Sequence, residues 1–442
     1  MPIFARRRIA KMLEDLSPML TPNKRRDVIT RLEHTRTDQA MASEAELGLL
    51  WALSRCVGCE IEPQIEGWQR VPDALSQGLF PPRRAVVEII AISDETMSGE
   101  AVMRRAASIL SQEATRLRAK SGRKLFFTFH EISGYEQGVF CRRRCVGPTF
   151  QLDDQIRAQL QQWLSGWPAS RTSSLRLTNA EIDVTVQYRE YVHPLYNFFS
   201  SMPAVAYSLT DNTLYRGLVE KENQLPPAQE GLVRCIFVAD AGCHLLRELR
   251  PISMSPEEVS GEQIVQHFMS RSTIDIVAVF SPILSPPLLS PHLSRLRWQP
   301  MVYYRPDTIS ESEAARVQQI ASSLPPAQFE AYNARALHRQ GAFSPQARGW
   351  WLPESFTTGH DGIMTVKISA RAIQEILAGR VSVETAMGKV SGDRNVFEIA
   401  LSCGRVIKSA RFEEGGVDED DDYLIFEFGP DVAAAKIPGG KG

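Results

Sequence analysis

The stretch that decides the fold runs from residue 44 to residue 94 and reads EAELGLLWALSRCVGCEIEPQIEGWQRVPDALSQGLFPPRRAVVEIIAISD. Its first part predicts a helix, because Leu47, Leu50 and Trp51 recur at helical spacing. A strand-like run over residues 61–71 follows, and a turn region with Gly78 separates it from a β-rich run over residues 85–92. The sequence therefore predicts a helix that leads into a β-hairpin.

The elements on either side extend this pattern to a mixed α/β fold, with α and β segments interspersed. An amphipathic helix over residues 97–120 and a buried strand over 124–132 give the order helix, strand, strand, strand, helix, strand. Further strands are predicted over 175–191, 232–240, 275–280, 395–403, 405–412 and 423–428, and helices over 153–164, 257–268, 311–324, 326–337 and 370–378. The last two strands predict a C-terminal antiparallel β element.

Composition shifts suggest five segments. Residues 1–40 form a basic helical segment, 41–150 a first α/β domain and 151–285 a second αβ region. Residues 286–300 are so rich in proline that they predict a linker, and 301–442 form a C-terminal α+β region with an acidic loop.

Charge and cysteine content exclude several classes of protein. There are 50 basic and 52 acidic side chains, so no overall field marks nucleic acid as the partner. An odd number of cysteines, seven, is typical of a reducing compartment, and we expect a cytoplasmic, bacterial protein. The longest apolar run, residues 85–92, is short and contains Glu88, so no membrane association is expected, and the N-terminus does not read as a secretory signal.

Asp73 and Glu88 are the candidate catalytic pair. They lie at the ends of adjacent predicted strands of one hairpin, so their side chains are expected side by side. Paired carboxylates at a strand edge suit Mg²⁺, which prefers oxygen ligands and takes its other contacts from water and substrate phosphates. Glu44 or Glu46, on the preceding helix, could add a third ligand. The alternative is structural: a turn acid and a strand-end carboxylate paired with Arg83 or Arg84.

These residues and the element order resemble the PD-(D/E)XK nuclease superfamily, and the surrounding sequence looks like a large uncharacterised bacterial family. Pro72-Asp73 matches the PD element and Glu88 the acidic residue of the (D/E)XK element, over roughly residues 40–135. The resemblance implies a DNA-binding protein that hydrolyses phosphodiesters with Mg²⁺ in restriction, repair or phage defence. The rival hypothesis is an inactive nuclease-fold scaffold that binds a protein partner encoded beside it.

The sequence departs from the superfamily at the third position of that element. A lysine that orients the attacking water is expected there, and this chain has Ile90. Lys120, Lys124 or Arg116 could supply the positive charge from the following helix or strand. Alternatively the site is inactive.

Clustered arginines on the helix over residues 97–120 are the candidate contacts to nucleic-acid phosphates: Arg104, Arg105, Arg116 and Arg118. The alternative is an ordinary solvated helix face. The acidic residues 413–422 raise a similar choice between a solvated hairpin loop and a segment that folds over the basic N-terminal helices and competes with phosphate. The oligomeric state is not apparent from the sequence.

Other metal motifs are weak. Cys56-x-x-Cys59 and Cys141-x-x-x-Cys145 supply four thiols, but the second spacing is loose and three arginines intervene, so zinc is not favoured. His360-Asp361 resembles an HD pair without the other histidines such a site needs. His130, in an apolar strand, is expected to be a core histidine rather than a base.

Overall fold

In the computed structural model the described residues are 3–32, 34, 37–97, 99–136, 139–147, 149–167, 174–190, 192, 197–200, 205–250, 255–285, 295–327, 354–358, 364–379, 382–383, 395–419 and 421–431. They divide into two compact units. The first comprises residues 1–52, 284–298 and 323–442, and the second comprises 53–283 and 299–322. No helix among the described residues combines the length and the apolar character that crossing a bilayer requires.

The described helices and strands alternate along the chain, which confirms the mixed α/β prediction. The helices are α1 (Arg6–Leu16), α2 (Pro22–Leu32), α3 (Thr37–Val57), α4 (Asp94–Met97), α5 (Glu100–Leu117), α6 (Asp154–Ser165), α7 (Thr213–Gln224), α8 (His244–Arg247), α9 (Gly261–Arg271), α10 (Glu311–Ser323), α11 (Ala370–Leu377) and α12 (Val396–Ser402). The strands are β1 (Glu60–Ile61), β2 (Ala74–Phe80), β3 (Arg83–Ile92), β4 (Leu125–Phe129), β5 (Glu131–Glu136), β6 (Val139–Arg144), β7 (Ser174–Thr178), β8 (Asp183–Tyr188), β9 (Phe198–Phe199), β10 (Leu232–Asp240), β11 (Ile276–Ser285), β12 (Arg295–Tyr304), β13 (Glu354–Thr358), β14 (Met364–Ser369), β15 (Arg405–Glu413) and β16 (Tyr423–Pro430).

The sheet that positions the site has six strands in the order β1-β2-β3-β10-β11-β12. Strands β1, β2 and β3 form an antiparallel meander, whereas β10 pairs in parallel with both β3 and β11. Parallel pairing requires crossovers, and α7 and α9 are the helices that precede β10 and β11. Apolar side chains of α7, α9, β3, β10 and β11 form one buried core, which holds this layer together.

Residues 94–200 build a second sheet, in the order β7-β8-β4-β9, between β3 and α7 of the first. Its buried core joins α5 and α6 to side chains of β4, β7 and β8. The predicted strand over residues 124–132 is therefore present as β4, but it does not complete the sheet that holds Asp73 and Glu88. Strand β10 pairs with β3 instead. The chain therefore leaves this sheet after β3 and returns to it at β10, more than a hundred residues later.

The predicted C-terminal antiparallel element is confirmed as the sheet β13-β14-β16-β15. The acidic residues connect β15 to β16, as predicted, although Asp420 lies outside the described residues. Asp422 accepts a 2.6 Å hydrogen bond from Arg7, and Asp418 binds Arg8 through both carboxylate oxygens at 2.7 and 2.9 Å. Both arginines lie in the first turn of α1, where cations oppose the helix dipole, so these aspartates compensate an unfavourable charge.

Two local predictions differ from the structure for identifiable reasons. Residues 395–403 form α12 rather than a strand, because Asn395 and Glu398 make a reciprocal capping box. Pro300 lies within β12 rather than in a linker, which is tolerated because β12 is an edge strand and a missing N–H there costs no ladder bond. Residues 286–294, the helix predicted over 326–337 beyond residue 327, and His360-Asp361 lie outside the described residues.

The hairpin also differs in register from the prediction. The first strand lies after Asp73, as β2, and only Glu60–Ile61 of the earlier run is a strand. Gly78, which we interpreted as a turn residue, lies inside β2. A Cβ atom added at this position would be only 2.2 Å from the carbonyl oxygen of Val57, which explains why the residue is glycine. The turn is confined to Pro81-Pro82. Glycine at position 78 permits the backbone of β2 to approach the backbone of Val57 closely.

Candidate active site

Asp73 and Glu88 are adjacent because of the β2–β3 register. Ala74 pairs with Val87, so Asp73, just before β2, lies next to Glu88. The Oδ2 atom of Asp73 accepts a 2.7 Å hydrogen bond from the backbone N–H of Ile89, which fixes the carboxylate against the neighbouring strand. The sequence prediction of two carboxylates side by side is thus met by the geometry.

Glu88 lies in the middle of the sheet and is almost fully buried, with 1% of its surface exposed. Strand β3 runs between β2 and β10, and Glu88 pairs with Ile236 of β10. Burial, followed by the negative charge of Asp73, raises the pKa of Glu88 to about 8. A carboxyl group held this far from water needs a cation or a proton beside it.

Lys221 supplies the cation. Its Nζ atom lies 2.6 Å from Oε2 of Glu88 and 3.4 Å from Oδ2 of Asp73, and it donates a 2.9 Å hydrogen bond to Oε1 of Gln224. Burial acts to lower the pKa of Lys221, but the two carboxylates outweigh it and the net shift is upward. Since both carboxylates contact one nitrogen, they lie within the roughly 4–6 Å that two ligands of a shared hard cation span.

Helix α7 carries Lys221 to this position. The helix begins at Asn212, whose side chain accepts a hydrogen bond from the N–H of Tyr215. One turn before Lys221, Gly217 packs against Ile90, and an added Cβ on Gly217 would be only 2.2 Å from Cδ1 of that isoleucine. Ile90 is therefore apolar because it is the surface on which α7 packs.

Three donors hold the last turn of α7, where backbone carbonyls have no partner within the helix. Trp68 donates to the carbonyl of Gln224 at 3.0 Å, Arg70 to that of Asn223 at 2.7 Å, and Arg234 to that of Glu222 at 3.2 Å. Two of the three are cations, which the negative end of the helix dipole favours. These bonds fix the turn that contains Lys221.

An open groove of about 670 Å³ adjoins the site. It is lined by Arg70, Val71, Glu220, Asn223 and Gln224, and Gln224 also contacts Lys221. Gln224 thus connects the groove to the three charged groups.

The structure does not bring the other predicted catalytic residues to this place. Glu44 accepts hydrogen bonds from the backbone N–H groups of Ile3 and Phe4 at 2.6 and 3.1 Å. Lys120 is exposed beyond the end of α5, and Lys124 contacts the hydroxyl of Tyr188 at 3.4 Å in the second sheet.

Glu46, the other candidate for a third ligand, and Arg83, one of the two candidate partners of the carboxylates, are also engaged elsewhere. Glu46 is buried between Lys24 and Arg31 at 3.1 and 2.7 Å, and although burial opposes the shift, these cations lower the pKa of Glu46. Arg83 pairs with Glu313 at 2.5 Å rather than with either member of the candidate pair. The structural alternative for Asp73 and Glu88 therefore lacks its proposed partner in Arg83.

The four predicted nucleic-acid contacts all lie on or just after α5, and Arg104, Arg116 and Arg118 contact groups of the chain nearby. Arg104 pairs with Glu100 at 3.3 Å, and Arg116 pairs with Glu113 at 2.6 Å. Arg118 donates to the carbonyls of Leu164 and Trp167, in and just after the last turn of α6, and lies over the ring of Trp167. Arg105 is exposed. These contacts support the interpretation of a solvated helix face more than that of a phosphate-binding surface.

The cysteines show no zinc site in the part of the chain that is described. Cys56 and Cys59 are free thiols, and burial raises the pKa of Cys59 to about 11, which disfavours the thiolate that zinc requires. The described residues contain no group of three or more His, Cys, Asp or Glu side chains arranged to hold a metal. The side chain of Cys141 lies outside the description.

Lys221 is the residue that sequence reasoning missed. It lies 133 positions from Glu88, in a helix with no local signature, and the intervening residues fold as a separate sheet. The sequence signal that could have found it is a helix followed by a strand over residues 213–240. The predicted core also has a helix and then a strand after its hairpin.

No protein-family model matches this sequence, and neither a curated protein nor a solved structure matches it. The resemblance to PD-(D/E)XK nucleases rests on the residues and elements described above.

Proposed function

We propose that this chain is a Mg²⁺-dependent nuclease of the PD-(D/E)XK type that acts on DNA. The observation that supports the proposal best is the convergence of Asp73, Glu88 and Lys221 at one place, where β2 and β3 of the six-stranded sheet meet α7. The element order is that of the superfamily once residues 94–200 are set aside as an insertion. The expected lysine comes from α7 instead of from position 90.

The donor set suits a hard divalent cation. Asp73 and Glu88 would hold the metal, and both present oxygen atoms, which Mg²⁺ prefers to nitrogen or sulfur. Burial and then the charge of Asp73 raise the pKa of Glu88, and a bound cation would oppose that shift. A bound Mg²⁺ would polarise the phosphodiester and lower the pKa of the attacking water.

Lys221 then has the role of orienting the water. Hydrogen bonds to Asp73, Glu88 and Gln224 fix the position of its ammonium group. The raised pKa keeps the amine protonated. Its three N–H groups donate to Asp73, Glu88 and Gln224, so the amine would donate to the water oxygen and to the developing phosphorane charge once a metal holds the two carboxylates. Water adds to phosphorus, the phosphorus–ester oxygen bond breaks, and the water's proton ends on the leaving oxygen.

The wider setting follows from the resemblance alone. We infer a cytoplasmic protein of restriction, repair or phage defence, and the free thiols of the six cysteines whose side chains are described support a reducing compartment. The rival function is a scaffold that keeps this fold without activity and binds a protein partner.

The test is cleavage of supercoiled plasmid, linear duplex, single-stranded DNA and RNA, each with Mg²⁺ or Mn²⁺. We expect the wild type to cleave at least one of them, and Asp73→Asn, Glu88→Gln and Lys221→Met each to lower the rate at least 100-fold. Arg216→Met is the matched control, because Arg216 is an exposed cation on the same helix and pairs only with Asp211 among the salt bridges described.

Equal behaviour of the wild type and the three site variants on every substrate would end the nuclease proposal and leave the scaffold. Mn²⁺ binding measured by calorimetry separates two causes of such a failure. Binding that is lost in Glu88→Gln but present in the wild type shows a metal site without catalysis, whereas no binding in either shows that the carboxylates hold no metal.

A further inference from the structure

Among the residues that the structure describes, the helices that pack on the sheet inserted between β3 and α7 lie on one of its faces. Helices α5 and α6 pack on the side to which Leu125, Phe127 and Phe129 of β4 point. Side chains alternate along a strand, so Phe126 and Thr128 point to the opposite side, which we name the open face. Their cross-strand partners on β8, Gln187 and Thr185, point the same way.

Two phenylalanines lie on the open face, where polar side chains are expected. Phe199 of β9 pairs with Thr128 in parallel register and has 54% of its surface exposed. Phe126 lies on the next strand, and the guanidinium of Arg189 stacks 3.3 Å from the centre of its ring. The neighbour Phe198 instead packs against the buried Phe129, so the core does not need Phe199 as well.

The open face carries Arg176 and Asp183 on its strands, and Arg189 directly follows β8. Within β4, β7, β8 and β9, all four of which are described, the only outward acid is Asp183, and Arg176 neutralises it through two hydrogen bonds of 2.9 and 2.7 Å. Arg176 remains 63% exposed in its side chain. Arg189, on Phe126, adds a second cation.

We propose that the open face binds single-stranded nucleic acid, with bases stacked on the ring of Phe199 and on the guanidinium of Arg189, which itself lies on Phe126, and with phosphates near Arg176. An aromatic ring offers every base a stacking surface, and arginines beside it track the backbone, so such a face binds without sequence preference. Four-stranded sheets with exposed aromatic side chains recognise unpaired bases in this way. A duplex hides its base faces and gains only the phosphate contacts.

This inference rests on the proposed nuclease function and narrows its substrate to single strands or unpaired ends. The connection is topological: the sheet is inserted between the strand that carries Glu88 and the helix that carries Lys221. A nucleic-acid strand bound on the open face is therefore held by the segment that joins β3 to α7. The inference is tested separately from cleavage, by binding without metal.

The experiment measures fluorescence anisotropy of a labelled 20-nucleotide DNA, the matching RNA and the DNA duplex, with EDTA present. We expect the full-length protein to bind single strands at least ten-fold more tightly than duplex. Phe126→Ala and Phe199→Ala should each weaken single-strand binding about ten-fold, whereas Phe126→Tyr should retain it. Tyr135→Ala is the control, because Tyr135 is an aromatic with 69% exposure on the β5–β6 hairpin.

Unchanged affinity in both alanine variants, or equal affinity of the wild type for single strands and duplex, would overturn the inference. Circular dichroism establishes that each variant is folded, and Phe126→Leu removes the ring while keeping an apolar side chain. Lys221→Met should bind as the wild type does. If it loses cleavage while the phenylalanine variants bind normally, the nuclease proposal survives and the open face does not; the reverse pattern supports the open face alone.

Discussion

The ammonium of Lys221 lies 2.6 Å from the carboxylate of Glu88, which is almost entirely buried in the middle of a sheet. Together with Asp73 at 3.4 Å this makes one cation and two acids, so the cluster is electrically balanced when one acid carries a proton. The proton belongs to Glu88, since burial and the charge of Asp73 raise its pKa to about 8.

The first prediction is a pH dependence of stability that originates at Glu88. An unfolded glutamate has a pKa of about 4.3, so between that value and 8 the folded protein holds a proton that the unfolded chain releases. Stability from this group therefore falls as the pH rises through that window, by up to roughly 1.4 kcal/mol per pH unit. Lys221, with its raised pKa, stays protonated throughout.

Glu88→Gln mimics the protonated acid and should remove this slope. Melting temperatures measured in EDTA from pH 5 to 8.5 should fall for the wild type relative to the variant. Glu220→Gln is the control, because Glu220 is an exposed glutamate on α7, next to Lys221. Parallel curves for the wild type and Glu88→Gln would contradict the prediction.

The second prediction concerns the packing of Ile90 on Gly217. Gly217→Ala places a methyl group 2.2 Å from Cδ1 of Ile90 and should destabilise the protein by about 1–3 kcal/mol despite the better helix propensity of alanine. Ile90→Val removes that Cδ1 atom at a cost of about 1 kcal/mol. The double variant should be more stable than the sum of the single effects in urea denaturation. Strict additivity would show that the two side chains do not compete for space.

The third prediction separates two glycines that look alike in the sequence. Gly78→Ala should destabilise by about 1–3 kcal/mol, because the new Cβ would be 2.2 Å from a rigid backbone carbonyl at Val57. Gly134 also lies in a strand, with nothing within 4 Å of an added Cβ, so Gly134→Ala should change stability by less than about 0.5 kcal/mol. Similar effects at both positions would mean that the approach of Val57 is not the cause.

The fourth prediction concerns the ion pair between Arg8 and Asp418. The pair is bidentate and partly exposed, so a double-mutant cycle with Arg8→Ala and Asp418→Ala should give a coupling of about 1 kcal/mol that decreases with salt. Lys11, paired with Glu14 on the exposed side of α1, gives the reference cycle and should show a weaker coupling. A coupling that salt leaves unchanged would indicate packing rather than charge.

Asp73 and Glu88 could be paired from the chain alone, because only fifteen residues and a turn separate them and a hairpin has few registers. The strand over 232–240, the helices over 311–324 and 370–378, and the C-terminal hairpin were readable for the same reason: side-chain periodicity and turn residues act over short distances. The capping box of Asn395 and Glu398 is also visible in the sequence, but the apolar residues that follow it favoured the prediction of a strand.

Lys221 and the roles of Glu44, Lys120 and Lys124 depended on tertiary structure. Whether β4 or β10 lies beside β3 is decided by which pairing buries more apolar surface, and both strands are apolar enough to fit. A whole sheet with its own core separates Glu88 from Lys221, so no periodicity links them. The place of Gly78 in a strand depended on its contact with the backbone of Val57, and the place of Pro300 in an edge strand depended on the strand order of the sheet. Neither feature can be predicted from the residues next to them in the sequence.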